Sequence, residues 1–125
     1  MKIVSIIIPT YNRDKKLIKR ALVSVLKQTY QNFEIILVDD NINSDISNDV
    51  KKLVDELNDK RIKYIKNKQN IGGAKSRNKA IKIAKGDYIT FLDDDDFYLK
   101  DKLKKQVDYL ETVSYTHLRA HETSL

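Results

Sequence analysis

Four consecutive aspartates, Asp93-Asp94-Asp95-Asp96, directly follow one short apolar run, and an acidic pair, Asp39-Asp40, directly follows another. Neighbouring carboxylates repel one another, so such a run is costly unless a positive charge offsets it. A hard divalent cation with oxygen ligands does this, and one that also holds phosphate oxygens is Mg²⁺ or Mn²⁺. The competing reading is an acidic turn that caps the next helix and complements its dipole. Position favours the cation. A third apolar run ends in polar sequence as well, at Pro9-Thr10-Tyr11-Asn12, so three strand ends carry groups suited to a shared ligand.

The elements that must position these groups follow from the apolar spacing. Ile3-Val4-Ser5-Ile6-Ile7-Ile8 is rich in β-branched residues and stops at the only proline, which reads as a buried strand. Leu17, Ile18, Ala21, Leu22, Val25 and Leu26 recur at helical steps. Phe33 to Val38 is a second buried strand, and Ser47 is the expected cap of a helix carrying Val50, Leu53, Val54 and Leu57. A short strand is expected over Arg61–Ile65. A third helix should open at Gly72-Gly73, run to Lys85 and end against Gly86. Asp87 to Leu92 reads as the fourth strand, and Leu99, Leu103, Val107 and Leu110 as the apolar face of the last helix.

This alternation predicts an α/β fold, a parallel sheet with helices on both faces. In such a sheet every strand delivers its C-terminal end to one edge, where ligands bind at the point of reversed strand order. If the first strand lies between the second and the fourth, both acidic groups flank one crevice.

Composition narrows the function classes. With 125 residues, 41% hydrophobic and 34% charged, the chain fits one soluble domain with a real core. Cysteine is absent, which removes disulfides and thiolate metal sites. No apolar run approaches the ~20 residues needed to cross a bilayer, and the N-terminus lacks the features of a signal peptide, so a cytoplasmic location is expected. The net charge of +6 is spread as lysines over the helices rather than gathered into one arginine- and aromatic-rich stripe. That disfavours nucleic acid as partner and leaves room for weak contact with an anionic membrane surface. The first strand is not followed by Gly-x-Gly-x-x-Gly or by a P-loop, which argues against dinucleotide and P-loop sites.

The ordered set Ser5-Ile6-Ile7-Ile8-Pro9-Thr10-Tyr11-Asn12, Ser24 to Tyr30, Val38-Asp39-Asp40, Asn70-Ile71-Gly72-Gly73, Ser76-Arg77-Asn78, Gly86 to Ile89 and Phe91 to Asp96 resembles the opening of family 2 glycosyltransferases over about residues 3–110. The resemblance implies a GT-A fold, here its Rossmann-like half and incomplete. It implies that Pro9, Thr10 and Tyr11 line a nucleoside pocket in which the aromatic ring packs on the base. By the same resemblance Asp40 accepts hydrogen bonds from the base, Asp39 supports the loop, and Asn70 and Arg77 contact the nucleotide.

Asp93-Asp94-Asp95 overlays the family's Asp-x-Asp motif. Asp95 is thereby expected to bind the cation, with Asp93 and Asp94 on the ribose or on the metal's waters. The implied reaction is inverting transfer of a sugar from a nucleotide diphosphate, often UDP, to an acceptor hydroxyl on a glycan or lipid-linked sugar. The catalytic base is expected in sequence beyond this chain, so the chain alone should bind donor and turn over poorly. A sugar-phosphate nucleotidyltransferase or a non-catalytic nucleotide-binding module is the alternative. Residues 1–113 read as the nucleotide-binding portion. Residues 114–125, which hold both histidines and no lysine, read as a non-native or disordered tail.

Overall fold

The computed structural model describes the backbone of residues 1–117 and the side chains of residues 1–113. The elements alternate as expected: β1 (Val4–Thr10), α1 (Lys15–Leu26), β2 (Phe33–Asp39), α2 (Ser44–Leu57), β3 (Ile62–Lys66), α3 (Gly73–Ile83), β4 (Tyr88–Phe91) and α4 (Lys102–His117). The four strands form one parallel sheet in the order β3-β2-β1-β4. β1 therefore does lie between β2 and β4, and strand order reverses beside it.

Alternation along the strands divides the apolar residues between two layers. Ile6 and Ile8 of β1, with Ile35 and Leu37 of β2, face a core closed by Ile18, Ala21, Leu22 and Val25 of α1, Val50 and Leu53 of α2, and Leu103 and Val107 of α4. Ile7, Ile36 and Val38 face the other side, where Ala80 of α3 covers them. Three helices thus pack on one face and a single helix on the other. β1 and β2 are covered on both faces, which explains why they read as continuous apolar runs.

Several boundaries differ from the sequence expectation. Asn43, not Ser47, caps α2: its side chain accepts from the backbone N–H groups of Asp45 and Ile46. Ser47 lies one turn inside the helix, buried. α3 stops at Ile83, because Ala84 is already extended, with ψ 135°. Gly86 is not a helix cap; it is a close-packing point. A Cβ there would press on the Ser5 hydroxyl and lie 2.7 Å from the Ser5 nitrogen and 2.8 Å from the Tyr88 carbonyl oxygen. Leu99 lies before α4 and is 75% exposed, so it takes no part in that helix's apolar face.

α4 continues to His117, four residues into the segment that the sequence sets apart, and residues 118–125 of that segment lie outside the described residues. Among the described residues no helix is long and apolar enough to cross a membrane.

Candidate functional site

β1, β2 and β4 all end at the same edge, and their ends enclose one cavity of about 360 Å³. Its lining includes Pro9, Thr10, Tyr11, Asp40, Arg77, Asp93, Asp94 and Asp95, together with Arg13, Gly73 and Ser76. Acidic groups from two strands, 53 positions apart between Asp40 and Asp93, thus meet beside Tyr11. Tyr11 is 55% exposed, with its ring available to a ligand. A larger groove of about 760 Å³ runs past β4, lined by Phe91, Phe97, Tyr98 and Leu99 among others. Of these two, the smaller cavity gathers all three strand ends and is therefore the candidate site.

The chain leaves β1 through Asn12, whose backbone is left-handed at φ 49°, a conformation that Asn tolerates better than most residues. The Asn12 N–H donates to the Asn41 side chain at 2.7 Å, which ties the turn after β1 to the turn after β2. Asp14 then caps α1 by accepting from the Lys16 N–H. This tight path turns Arg13 back over the cavity. Its Nε donates to Asp94 at 3.1 Å, and its Nη1 lies 3.6 Å from Asp95.

Asp94 is the inward member of the acidic run, 6% exposed. One carboxylate oxygen accepts from the Thr10 hydroxyl at 2.9 Å and, more loosely, from the Tyr11 N–H at 3.4 Å; the other accepts from Arg13. The side chains of Asp93 and Asp95 are 69% and 47% exposed. Asp93 faces Arg77 at 3.8 Å. The Asp95 carbonyl accepts from Arg20 of α1 at 2.6 Å, and Arg20 also lies over the Phe97 ring. Three guanidinium groups therefore surround the four-aspartate turn.

Asp40, on the β2 side of the cavity, is held by the loop that follows β3. Its two oxygens accept from the Asn67 and Asn70 side chains and from the backbone N–H groups of Ile71 and Gly72, all at 2.8–2.9 Å. A carboxylate has about four acceptor sites, so the loop from Asn67 to Gly72 uses them fully. Burial pushes the Asp40 carboxyl up, but these donors and the nearby Lys66 outweigh it and hold it below the usual carboxylate range. Asn70 is committed to Asp40 and does not line the cavity.

Asp39 supports the neighbouring loop, accepting from the Asn41 backbone and side-chain N–H groups and from the Tyr64 hydroxyl. Burial and the Asp39 carboxylate beside it push the Tyr64 hydroxyl up.

Sequence reasoning missed Arg13 and Asn67. Asn67 is buried and joins Asp40, Ser76 and Lys79, so it links the end of β3 to α3. Nothing in its local sequence marks it. For Arg13 a signal was present: a cation three residues past a strand end that faces an acidic run.

A divalent cation fits this donor set only in part. Asp93 and Asp95 offer accessible oxygens to one cavity, as Mg²⁺ or Mn²⁺ requires. Among the described residues, however, no group of three or more His, Cys, Asp or Glu side chains converges on a metal position. Asp94 is turned into the protein, and Asp93 and Asp95 lean toward different arginines. The arrangement suits a cation held by one or two carboxylates and completed by phosphate oxygens, not an all-protein cage.

Residues 5–118 match the family described as Glycosyl transferase family 2. An Escherichia coli protein named UDP-Glc:alpha-D-GlcNAc-diphosphoundecaprenol beta-1,3-glucosyltransferase WfaP is 44% identical over 112 residues, 90% of this chain and 43% of the relative. The Staphylococcus aureus TarS 1-349 structure in complex with UDP-GlcNAc superposes with a TM-score of 0.75 at 33% identity, over 90% of this chain and 32% of that one. The mannosyltransferase PcManGT from Pyrobaculum calidifontis, in complex with GDP-Man and Mn²⁺, gives a TM-score of 0.76 at 25% identity, over 86% of this chain and 32% of that one. The chain spans less than half the length of the curated relatives compared, from 15% to 43%.

Proposed function

The chain belongs to glycosyl transferase family 2, and from that premise we propose that the strand-end cavity binds the nucleotide diphosphate of a sugar donor, a UDP-sugar, together with Mn²⁺ or Mg²⁺. The observation that carries this reading is the meeting of Tyr11, Arg13, Arg77, Asp93 and Asp95 around one cavity of about 360 Å³. An exposed aromatic ring suits a nucleobase, guanidinium groups suit phosphate, and accessible carboxylates suit the cation that bridges to it. The UDP-GlcNAc bound by TarS and the UDP-Glc in the name of the E. coli relative support the choice of UDP.

In the reaction an acceptor hydroxyl oxygen attacks the anomeric carbon of the donor sugar. The bond from that carbon to the diphosphate oxygen breaks, the diphosphate leaves with the electron pair, and the hydroxyl proton passes to a base. Inversion follows from a single attack opposite the leaving group. The cation, when bound, supplies positive charge to the departing diphosphate. Tyr11 orients the nucleoside, Arg77 from α3 approaches the phosphates from the side of Asp93, and the buried Asp94 fixes the turn that carries Asp93 and Asp95. None of these residues is assigned the role of base. A sugar hydroxyl on a lipid-linked carrier is the acceptor we favour, supported by the diphosphoundecaprenol in the relative's name and by lysine-bearing helix faces that suit an anionic membrane surface.

Isothermal calorimetry tests the donor site. UDP should bind with measurable heat in the presence of Mn²⁺ and at least tenfold more weakly without it, while inorganic tripolyphosphate should bind weakly in both conditions. Equal binding of UDP and tripolyphosphate would reduce the cavity to a generic basic surface and end the proposal. The stereochemical part is read by NMR of the product's anomeric configuration in a reaction with the full-length enzyme.

A further inference from the structure

The arginines at the cavity are placed against the carboxylates, not against the open volume. Arg13 spans two of them, Asp94 at 3.1 Å and Asp95 at 3.6 Å. Its side chain is 37% exposed, and the Asp94 side chain only 9%, so the inner half of this contact is shielded from solvent and the outer half is not. On the opposite wall Arg77 stands 3.8 Å from Asp93. In the acidic turn Asp94 and Asp95 thus face one guanidinium and Asp93 another, and no metal-binding group of three forms among the described residues.

We propose that Arg13 is a latch on the acidic turn: in the nucleotide-free chain its guanidinium holds Asp95 away from a cation, and it leaves Asp95 for the donor's diphosphate when nucleotide and cation enter together. The proposal rests on the donor-site reading above and adds a regulatory device to it. A planar guanidinium pairs as readily with phosphate as with carboxylate, so the exchange keeps its hydrogen bonds. Asp95 is the half of the contact that can be surrendered. Its distance to Arg13 is longer, its side chain is half-exposed, and its backbone stays anchored because Arg20 holds the carbonyl at 2.6 Å. Asp94 stays in place through Thr10 and the Tyr11 N–H.

The device makes cation and nucleotide mutually dependent. A cation alone must displace Arg13 without offering it another partner, and nucleotide alone must draw Arg13 out while leaving the acidic turn uncompensated. Together they satisfy every charge. Linkage requires the coupling to be reciprocal, each ligand raising the other's affinity by the same factor. Arg13 is thus a positioning residue whose effect is measured in binding, apart from turnover.

The test uses Mn²⁺, whose free aqueous ion is counted by electron paramagnetic resonance, on the 125-residue chain with and without UDP. In the nucleotide-free protein, Arg13→Gln should bind Mn²⁺ roughly three- to tenfold more tightly than wild type, the factor expected for releasing a partly shielded charge pair. The same variant should bind UDP less tightly, and UDP should raise its Mn²⁺ affinity by a smaller factor than in wild type. Arg13→Lys keeps the charge but cannot fork across two carboxylates, so its nucleotide-free Mn²⁺ affinity should fall between the two.

Lys104→Gln removes one positive charge on α4, where Lys104 pairs, among the described residues, with the exposed Asp108, and should change neither affinity. Unchanged or weaker Mn²⁺ binding by nucleotide-free Arg13→Gln overturns the latch. Should that variant fail to fold, weaker Mn²⁺ binding by Arg13→Lys overturns it equally. Wild type that binds neither UDP nor Mn²⁺ with UDP overturns the donor-site reading instead, so the two failures are distinguishable.

Discussion

The Thr10 hydroxyl donates to the Asp94 carboxylate at 2.9 Å, joining the last residue of β1 to the turn after β4 across 84 positions of sequence. The Thr10 backbone carbonyl also accepts the Asp40 N–H at 2.9 Å. One buried residue thus ties together both acidic strand ends. Thr10→Val keeps the shape and removes the hydroxyl, leaving one Asp94 oxygen with only the long Tyr11 N–H contact. A loss of about 1–3 kcal/mol in urea-unfolding stability is expected, with a larger loss for Asp94→Ala, which leaves several donors unpaired.

Gly86 is expected to be the least replaceable glycine. In Gly86→Ala the new methyl would meet the backbone of Ser5 and Tyr88 inside van der Waals contact, so β1 and β4 must part. A loss of about 2–4 kcal/mol is expected in thermal or chemical unfolding. Gly72→Ala provides the contrast: nothing stands within 4 Å, but φ is +88°, and the cost should stay near 1–2 kcal/mol.

Acid should destabilise the fold through Glu34 and Asp40. Burial pushes the Glu34 carboxyl up, but the hydrogen bonds from Lys63, Ser5 and the Lys85 N–H prevail and hold it below its ordinary value. Asp40 is lowered likewise. Both folded-state pKa values lie beneath the unfolded ones, so their stabilisation is complete above the unfolded values near 4. It is lost as pH falls through the lower folded values. Unfolding free energies measured by urea from pH 7 down to pH 2 should show this decline, and Glu34→Gln should flatten part of it.

Tyr98 should remain protonated across the physiological range. Burial pushes its hydroxyl up to about 12, with Asp96 and Asp93 adding to that and the bond with Thr90 opposing it. The hydroxyl also donates to the Phe91 carbonyl at 2.9 Å. Absorbance titration of Tyr98→Phe should lack one late-titrating tyrosine relative to wild type. The variant should lose about 1 kcal/mol of stability from the missing hydrogen bonds.

At the cavity the roles should separate by ligand. Tyr11→Ala should weaken UDP about tenfold through lost stacking, with little effect on Mn²⁺ in the absence of nucleotide. Asp95→Asn should remove most of the enhancement that Mn²⁺ gives to UDP binding. Calorimetry of both variants against wild type reads these effects directly.

The apolar runs at Ile6–Ile8 and Ile35–Val38 made the fold legible, because strands covered on both faces leave few alternatives. The topology entered the sequence reading as a condition, β1 between β2 and β4, chosen because it gives Pro9–Asn12, Asp39-Asp40 and Asp93–Asp96 a common edge, and the observed strand order meets it.

Cap chemistry was harder to read. Asn43 and Ser47 are both suitable cap types, and only the path of the loop after Asn41 decides between them. Gly86 offered a helix-stop signal, but the β1 backbone beside it sets its role. At the site, residue types indicated charge and aromaticity, while partner choice depends on distances that sequence does not encode. Asp40 spends its oxygens on Asn67, Asn70, Ile71 and Gly72 because the loop between β3 and α3 folds back over it, a closure invisible along the chain.

Because Thr10 grips both sides of the cleft, the separation of the two walls is pinned at the middle of the sheet. A ligand entering this edge finds a frame of fixed width. In the proposed donor site, adjustment to nucleotides of different size then falls to rotation of Tyr11, Arg13 and Arg77, the long side chains that line this edge.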